Sequence, residues 1–270
     1  MLVIEAGRSE QHYWRDLWRY RELFYFLAWR DVLVRYKQTA IGVLWALIRP
    51  LVTIVVFTVV FGNLAKLPSD GVPYSVLVCA AMLPWQFFAT AFTDVGNSLV
   101  GNAALISKTY FPRLLVPAST VAVAFIDFLI SFVMLAVLMA WYGLFPDWRI
   151  LALPLFALMA GATALGLGLW IAALNVRYRD FRFLIPFLVQ IGLFASPVGF
   201  SSNVVPEQWR VLYFLNPMVA VIDGFRWSVL NGRVQLNWVG LMVSTLLVSA
   251  LLVGGVVYFR RTERTFVDVI

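Results

Sequence analysis

Few side chains in this sequence combine a reactive type with a distinctive setting. Asp94 and Asp127 lie in apolar tracts, the latter in AFIDFLIS. Between them stand two formal charges, Lys108 and Arg113, both inside NAALISKTYFPRLLVP (residues 102–117). An acid buried in an apolar tract either lines a pathway or is a packed, hydrogen-bonded residue. Asp127 has Ser131 one turn on as a hydrogen-bond partner for its protonated form. A lone acid is no proton relay, so a proton-coupled carrier is poorly supported. Asp94, near the inner end of its tract, reads as interfacial.

Catalysis has little to stand on. The single histidine, His12, is far in sequence from those acids, and no HExxH is present. The single cysteine, Cys79, allows neither an intrachain disulfide nor a cysteine metal cluster. Lys37, Lys66 and Lys108 are the lysines, and none follows a glycine as GxxxxGK[ST] requires. The chain thus reads as a non-enzyme with no metal and no cofactor of its own.

Aromatic residues offer a different chemistry. Trp85, Phe88 and Phe92 fall on one helical face, and Phe187 and Phe194 are seven apart on another. Ring faces pack on the C–H side of sugars, and equally against lipid or other side chains. Ala160, Ala164, Gly168 and Ala172 recur every fourth residue, a spacing that lets helices approach closely.

These residues must be positioned by a membrane protein. The 270 residues are 62% hydrophobic and 13% charged, against roughly 25% charged in a soluble domain. A crossing helix needs about 20 apolar residues. Six tracts qualify, at 43–65, 72–95, 114–142, 150–174, 183–201 and 237–259. With the N-terminus inside, sixteen of the 21 Lys and Arg residues fall on inner segments and five outside. That asymmetry predicts cytoplasmic termini. It also assigns the net charge of +7 to membrane orientation rather than nucleic acid. The first 40 residues are charged and aromatic, so no cleavable signal is expected and the first span acts as the insertion signal.

Two segments stand apart. Trp14, Leu17, Trp18, Arg21, Tyr25 and Ala28 recur at helical spacing with Arg15, Arg19 and Arg30 among them. This suits an amphipathic helix in the inner headgroup layer, or one packed on a partner. Residues 204–232 hold an apolar stretch too short to cross, broken at Asn216-Pro217 and bracketed by Glu207, Arg210, Asp223 and Arg226. The expectation is two short helices that dip in from the outer face, since irregular backbone at membrane depth needs protein or a water-filled cavity beside it. A surface-lying amphipathic loop is the alternative.

Four stretches, in this order, resemble the membrane subunit of ABC-2 type polysaccharide exporters: RDVLVRYKQTAIGVLWALIRPL (30–51), NAALISKTYFPRLLVPAS (102–119), LNVRYRDFRFLIPFLVQIGLFASPVGF (174–200) and VPEQWRVLYFLNPMVAVIDGFRWSVLNG (205–232). The likeness is greatest to O-antigen/lipopolysaccharide permeases, with teichoic-acid permeases next, and runs from about residue 20 to 265. The resemblance implies one all-α transmembrane domain over 1–270. It has six crossing helices, a cytoplasmic interface segment over 1–40, a coupling helix over 99–112 and re-entrant periplasmic gate helices over 204–232. It implies an inner-membrane half-transporter that pairs with a second copy of itself. Two ABC ATPase subunits would bind ATP and Mg, and the cargo would be an undecaprenyl-diphosphate-linked polysaccharide.

By that likeness Leu105, Ile106, Lys108, Tyr110, Phe111 and Arg113 form the ATPase-coupling patch. Trp209, Tyr213, Asn216, Pro217, Phe225 and Arg226 belong to the outer gate, and the five aromatics above line the channel. Arg35, Lys37 and Arg49, flanking the first span, are expected to meet the cargo's diphosphate, because guanidinium groups bind phosphate oxygens through paired hydrogen bonds. Anchoring to anionic lipid is the competing role for each. Other readings are export of teichoic acid, capsule or a smaller amphiphile, and a polytopic glycan-transfer enzyme. The outer loops are too short for the latter.

Overall fold

The computed structural model describes residues 13–37, 44–69, 71–178, 180–263 and 266, without the side chains of 44–46 and 49. Expectations for residues 1–12 and 38–43, for Arg179 and Arg264, and for the Arg49 side chain therefore lie outside the described residues. The regular elements among the described residues are all helical.

Four helical stretches are long and apolar enough to cross a membrane. They are α4 (Tyr74–Gly101), α6 (Leu115–Trp141), α7 (Leu153–Arg177) with the 3-10 turn Trp148–Ala152 that leads into it, and α11 (Trp238–Thr262). The other two expected crossings are carried by shorter pieces. α3 (Leu44–Phe57) runs on into a π-helical stretch, Thr58–Leu64, while α8 (Phe181–Ala195) has 15 residues. Fifteen helical residues reach about 22 Å, short of roughly 30 Å of hydrocarbon core.

α4 is the hub, with α3, α6, α7, α8 and α10 (Pro217–Val229) packed around it. Its most apolar window is 83% buried, against 28% in α6 and 22% in α11, whose apolar faces are left for lipid or a further chain. Small residues set how close the helices come. The Val95 side chain of α4 fills the space that a Cβ at Gly168 of α7 would take. A Cβ at Gly166 would stand 2.9 Å from the Leu252 nitrogen, so α7 and α11 meet nearly backbone to backbone. Ala160, Ala164 and Ala172 are fully buried, in keeping with the four-residue spacing of small side chains.

Polar and aromatic structure gathers at the two ends of the bundle. At one end α1 (Tyr13–Arg19), α2 (Arg21–Lys37), α5 (Ala103–Lys108) and the end of α11 share an apolar cluster that includes Tyr13, Leu27, Leu99, Ile106, Phe111 and Phe259. At the other end α9 (Glu207–Tyr213) and α10 break at Asn216-Pro217, as the sequence led one to expect of the segment's helices. Asn216 makes that break: its side chain accepts from the Met218 N–H (3.1 Å) and donates to Ser196 Oγ (2.9 Å), while Pro217 needs no N–H partner.

Candidate functional site

The first feature is an ionic junction where α2 meets two long helices. Arg35 Nη2 donates to Asp94 Oδ2 of α4 (2.6 Å), and its Nη1 pairs with Asp127 of α6. Tyr36 donates its hydroxyl to the other oxygen of Asp127. Ser131, a candidate partner for the Asp127 carboxyl, donates to the Asp127 carbonyl (2.9 Å). One and a half turns back on α2, Arg30 Nη2 reaches Asn102 Oδ1 (2.8 Å) and Asp31 (2.7 Å). Arg30 meets Asn102 and Arg35 meets Asp94, so α2, which packs against α6, runs antiparallel to α4. The span from Asn102 to Asp94 is about 12 Å of helix. The end of α2 therefore climbs the bundle rather than lying flat across its foot.

The α1 end is docked separately. Tyr13 donates to Glu263 (3.2 Å) under the Arg260 guanidinium, which lies 4.4 Å from its ring centroid. Burial, reinforced by the Glu263 charge, pushes the Tyr13 phenol above its ordinary range and keeps it a donor. The faces of α1 and α2 away from the bundle expose Trp14, Trp18, Tyr25, Phe26 and Trp29, an aromatic surface suited to headgroups or a partner.

The residues expected to form a coupling patch divide by direction. Ile106 and Phe111 are buried in the apolar cluster and Leu105 packs partly against it. Lys108 is exposed at the end of α5, and Tyr110 is 63% exposed. Arg113 lies over the Phe266 ring, 5.9 Å from its centroid. Phe111 and Ile106 thus fasten the patch from within, and Lys108 and Tyr110 are the side chains it presents outward. Asn102, at the joint of α4 and α5, is tied to α2 through Arg30.

The five aromatics separate into two groups. Trp85, Phe88 and Phe92 form a buried ladder on α4, with centroids 5.3 and 5.7 Å apart, and α8 reaches Trp85 at Gly192. Phe187 and Phe194 lie outward on α8, 57% and 65% exposed. Lys37 is exposed at the end of α2.

At the opposite end Arg226 is completely buried. Its guanidinium donates to three main-chain carbonyls: Leu77 on α4 (3.2 Å) and Phe200 (2.8 Å) and Val198 (3.1 Å) of the segment after α8. Tyr74 holds the same segment through the Gly199 carbonyl. Phe225 and Asp223 are buried beside Arg226, Tyr213 is partly buried and Trp209 is exposed. Nearby, Arg149 donates to Asp147 (2.9 Å) and to the Asn231 carbonyl (2.6 Å) and lies over Trp227 and Trp148. Sequence reasoning did not foresee the Arg30–Asn102 and Arg35–carboxylate contacts or the Arg149 cluster. Only the pairing of two lone membrane acids with a surplus of arginines elsewhere in the chain could have signalled the Arg35 contacts.

With this geometry in hand, likeness to known proteins is informative. Residues 22–230 match the family described as ABC-2 type transporter. The chain is 26% identical over 243 residues to the O-antigen export system permease protein RfbA of Klebsiella pneumoniae, covering 89% of this chain and 92% of that protein. A second Klebsiella pneumoniae protein of that name is 24% identical with the same coverage. One from Myxococcus xanthus is 28% identical over 78% of this chain and 82% of its own length.

Proposed function

The chain belongs to the ABC-2 type transporter family, and from that premise we propose that it is the membrane half of an ATP-driven exporter of lipid-linked polysaccharide. The carrying observation is similarity, over 78–89% of the chain, to permeases named for O-antigen export. The cargo is an O-antigen-like glycan on undecaprenyl diphosphate, moved from cytoplasm to periplasm through the inner membrane. α3 with its π-helical extension and α8 complete six crossings, and both termini are cytoplasmic. α9 and α10 are re-entrant from the periplasmic side.

A second copy completes the channel, and the exposed apolar faces of α3 and α8 offer surface for it. Two ABC ATPase subunits hydrolyse ATP with Mg below. Lys108 and Tyr110 are the groups offered to them, with Phe111 and Ile106 holding α5 in place. Lys37 and Arg49 are proposed for the diphosphate. Arg35 is less suited to that task, because two carboxylates already occupy its guanidinium.

Deletion in the native host with complementation tests this reading. Loss of surface polysaccharide, with lipid-linked glycan accumulating inside the cell and restoration by the wild-type chain, is the expected result. Unchanged surface polysaccharide in the deletion strain would remove it.

A further inference from the structure

α2 is tied to the bundle at two polar points with different charge balance. Arg30 and Asp31 form a balanced pair, and Arg30 also holds Asn102 at the joint with α5. Arg35 alone faces two carboxylates, one on α4 and one on α6. Their side chains are only a quarter to a third exposed, and rings of Phe87, Phe125 and Phe128 line the seam between α4 and α6. If α2 lifted away, Asp94 and Asp127 would face each other without the cation between them and only partly screened by water. Two carboxylates in such a setting repel, whereas a guanidinium between them draws their helices together.

We propose that Arg35 is the positioning residue of a charge-operated clamp: α2 seated holds α4 and α6 together, and α2 lifted lets Asp94 and Asp127 drive them apart. The Arg30–Asn102 contact links that movement to α5, the segment proposed above to feel the ATPase, so the clamp's role in export rests on that reading. Packed interfaces of this kind switch between discrete arrangements rather than deforming smoothly. The clamp assigns Arg35 to Asp94 and Asp127 rather than to the cargo.

The two assignments differ in what rescues the loss of Arg35. The full chain in nanodiscs would be compared by hydrogen exchange at amides 30–37, and the same variants by surface polysaccharide at equal protein level. Arg35→Gln should speed exchange there about tenfold and lower export about tenfold. Arg35→Lys, a point charge in place of a fork, should fall between. The triple variant Arg35→Gln/Asp94→Asn/Asp127→Asn, with every charge removed, should return both to within about threefold of wild type. A site valued only for the strength of its ion pairs would not recover when all of them are deleted.

Unchanged exchange in Arg35→Gln overturns the clamp, as does a triple variant that exports no better than Arg35→Gln. The exchange measurement is independent of what is exported. A failure of the export reading alone would therefore show as faster exchange in Arg35→Gln, restored in the triple variant, with no effect of either on polysaccharide.

Discussion

Two arginines at opposite ends of the bundle are held in different ways. Arg226 is fully buried and gives its donors to three main-chain carbonyls. Arg35 is a third exposed and gives its donors to two carboxylates on separate helices. Carbonyls belong to the backbone and cannot leave without unfolding it. Carboxylates can accept water or another cation when the arginine withdraws. The first arrangement fixes α10 and the segment after α8 to α4, and the second joins helices that the proposed clamp would let part.

The sharpest test of that contrast is Arg226→Met. It removes three hydrogen bonds, two of them buried and one part-buried, each worth about 1–3 kcal/mol, so folded yield and detergent melting temperature should fall. Arg226→Lys should recover only part of the loss, because one ammonium cannot serve carbonyls arrayed around a planar fork. A wild-type melting temperature in Arg226→Met would abolish the distinction.

Next in size is Phe111→Ala, which empties a buried site and should cost about 3 kcal/mol. It should appear as a lower melting temperature of the purified chain without any partner. Arg35→Gln should lower stability less, by about 1 kcal/mol, since exposed ion pairs are screened by water. Its export defect should be out of proportion to that small change. A stability loss as large as that of Arg226→Met would mean that both arginines are fixed anchors.

Tyr110→Ala should have the smallest effect on stability, within about 0.5 kcal/mol, because its ring is 63% exposed. The consequence expected there is weaker co-purification of the ATPase subunit. If Tyr110→Ala retains the ATPase fully while Lys108→Gln also does, the outward face of α5 is not the docking surface.

The long helices were legible because runs of apolar residues leave few alternatives. Asn216-Pro217 announced its own break, since an amide capping a helix that begins with proline is a local signal. The direction of each coupling residue was not legible. α5 has six residues, fewer than two turns, and Tyr110 and Phe111 follow it in backbone that is no longer helical. Helical periodicity therefore could not say which ring turns inward. The aromatics expected to line a channel show the same limit, with Trp85 buried and Phe187 exposed in equally apolar contexts.

The partners of the two arginines were hidden for different reasons. Arg35 lies 59 and 92 positions from its carboxylates, so only the packing of α2 on α6, beside α4, brings them together. The three carbonyls that Arg226 holds were hidden because every residue carries one and no sequence marks it. Asp94 looked interfacial because its tract was expected to end at residue 95, whereas α4 continues to Gly101 and carries the acid into the junction.

The central claim is that this chain forms a path for lipid-linked glycan that ATP hydrolysis on another subunit drives. The most direct measurement reconstitutes the chain and its ATPase partner in vesicles loaded with lipid-linked O-antigen-type glycan on the ATPase side. ATP-dependent appearance of the glycan on the opposite face, absent when either subunit is omitted, is the predicted result. Sustained ATP hydrolysis by the complex with no movement of the glycan across the bilayer would contradict it.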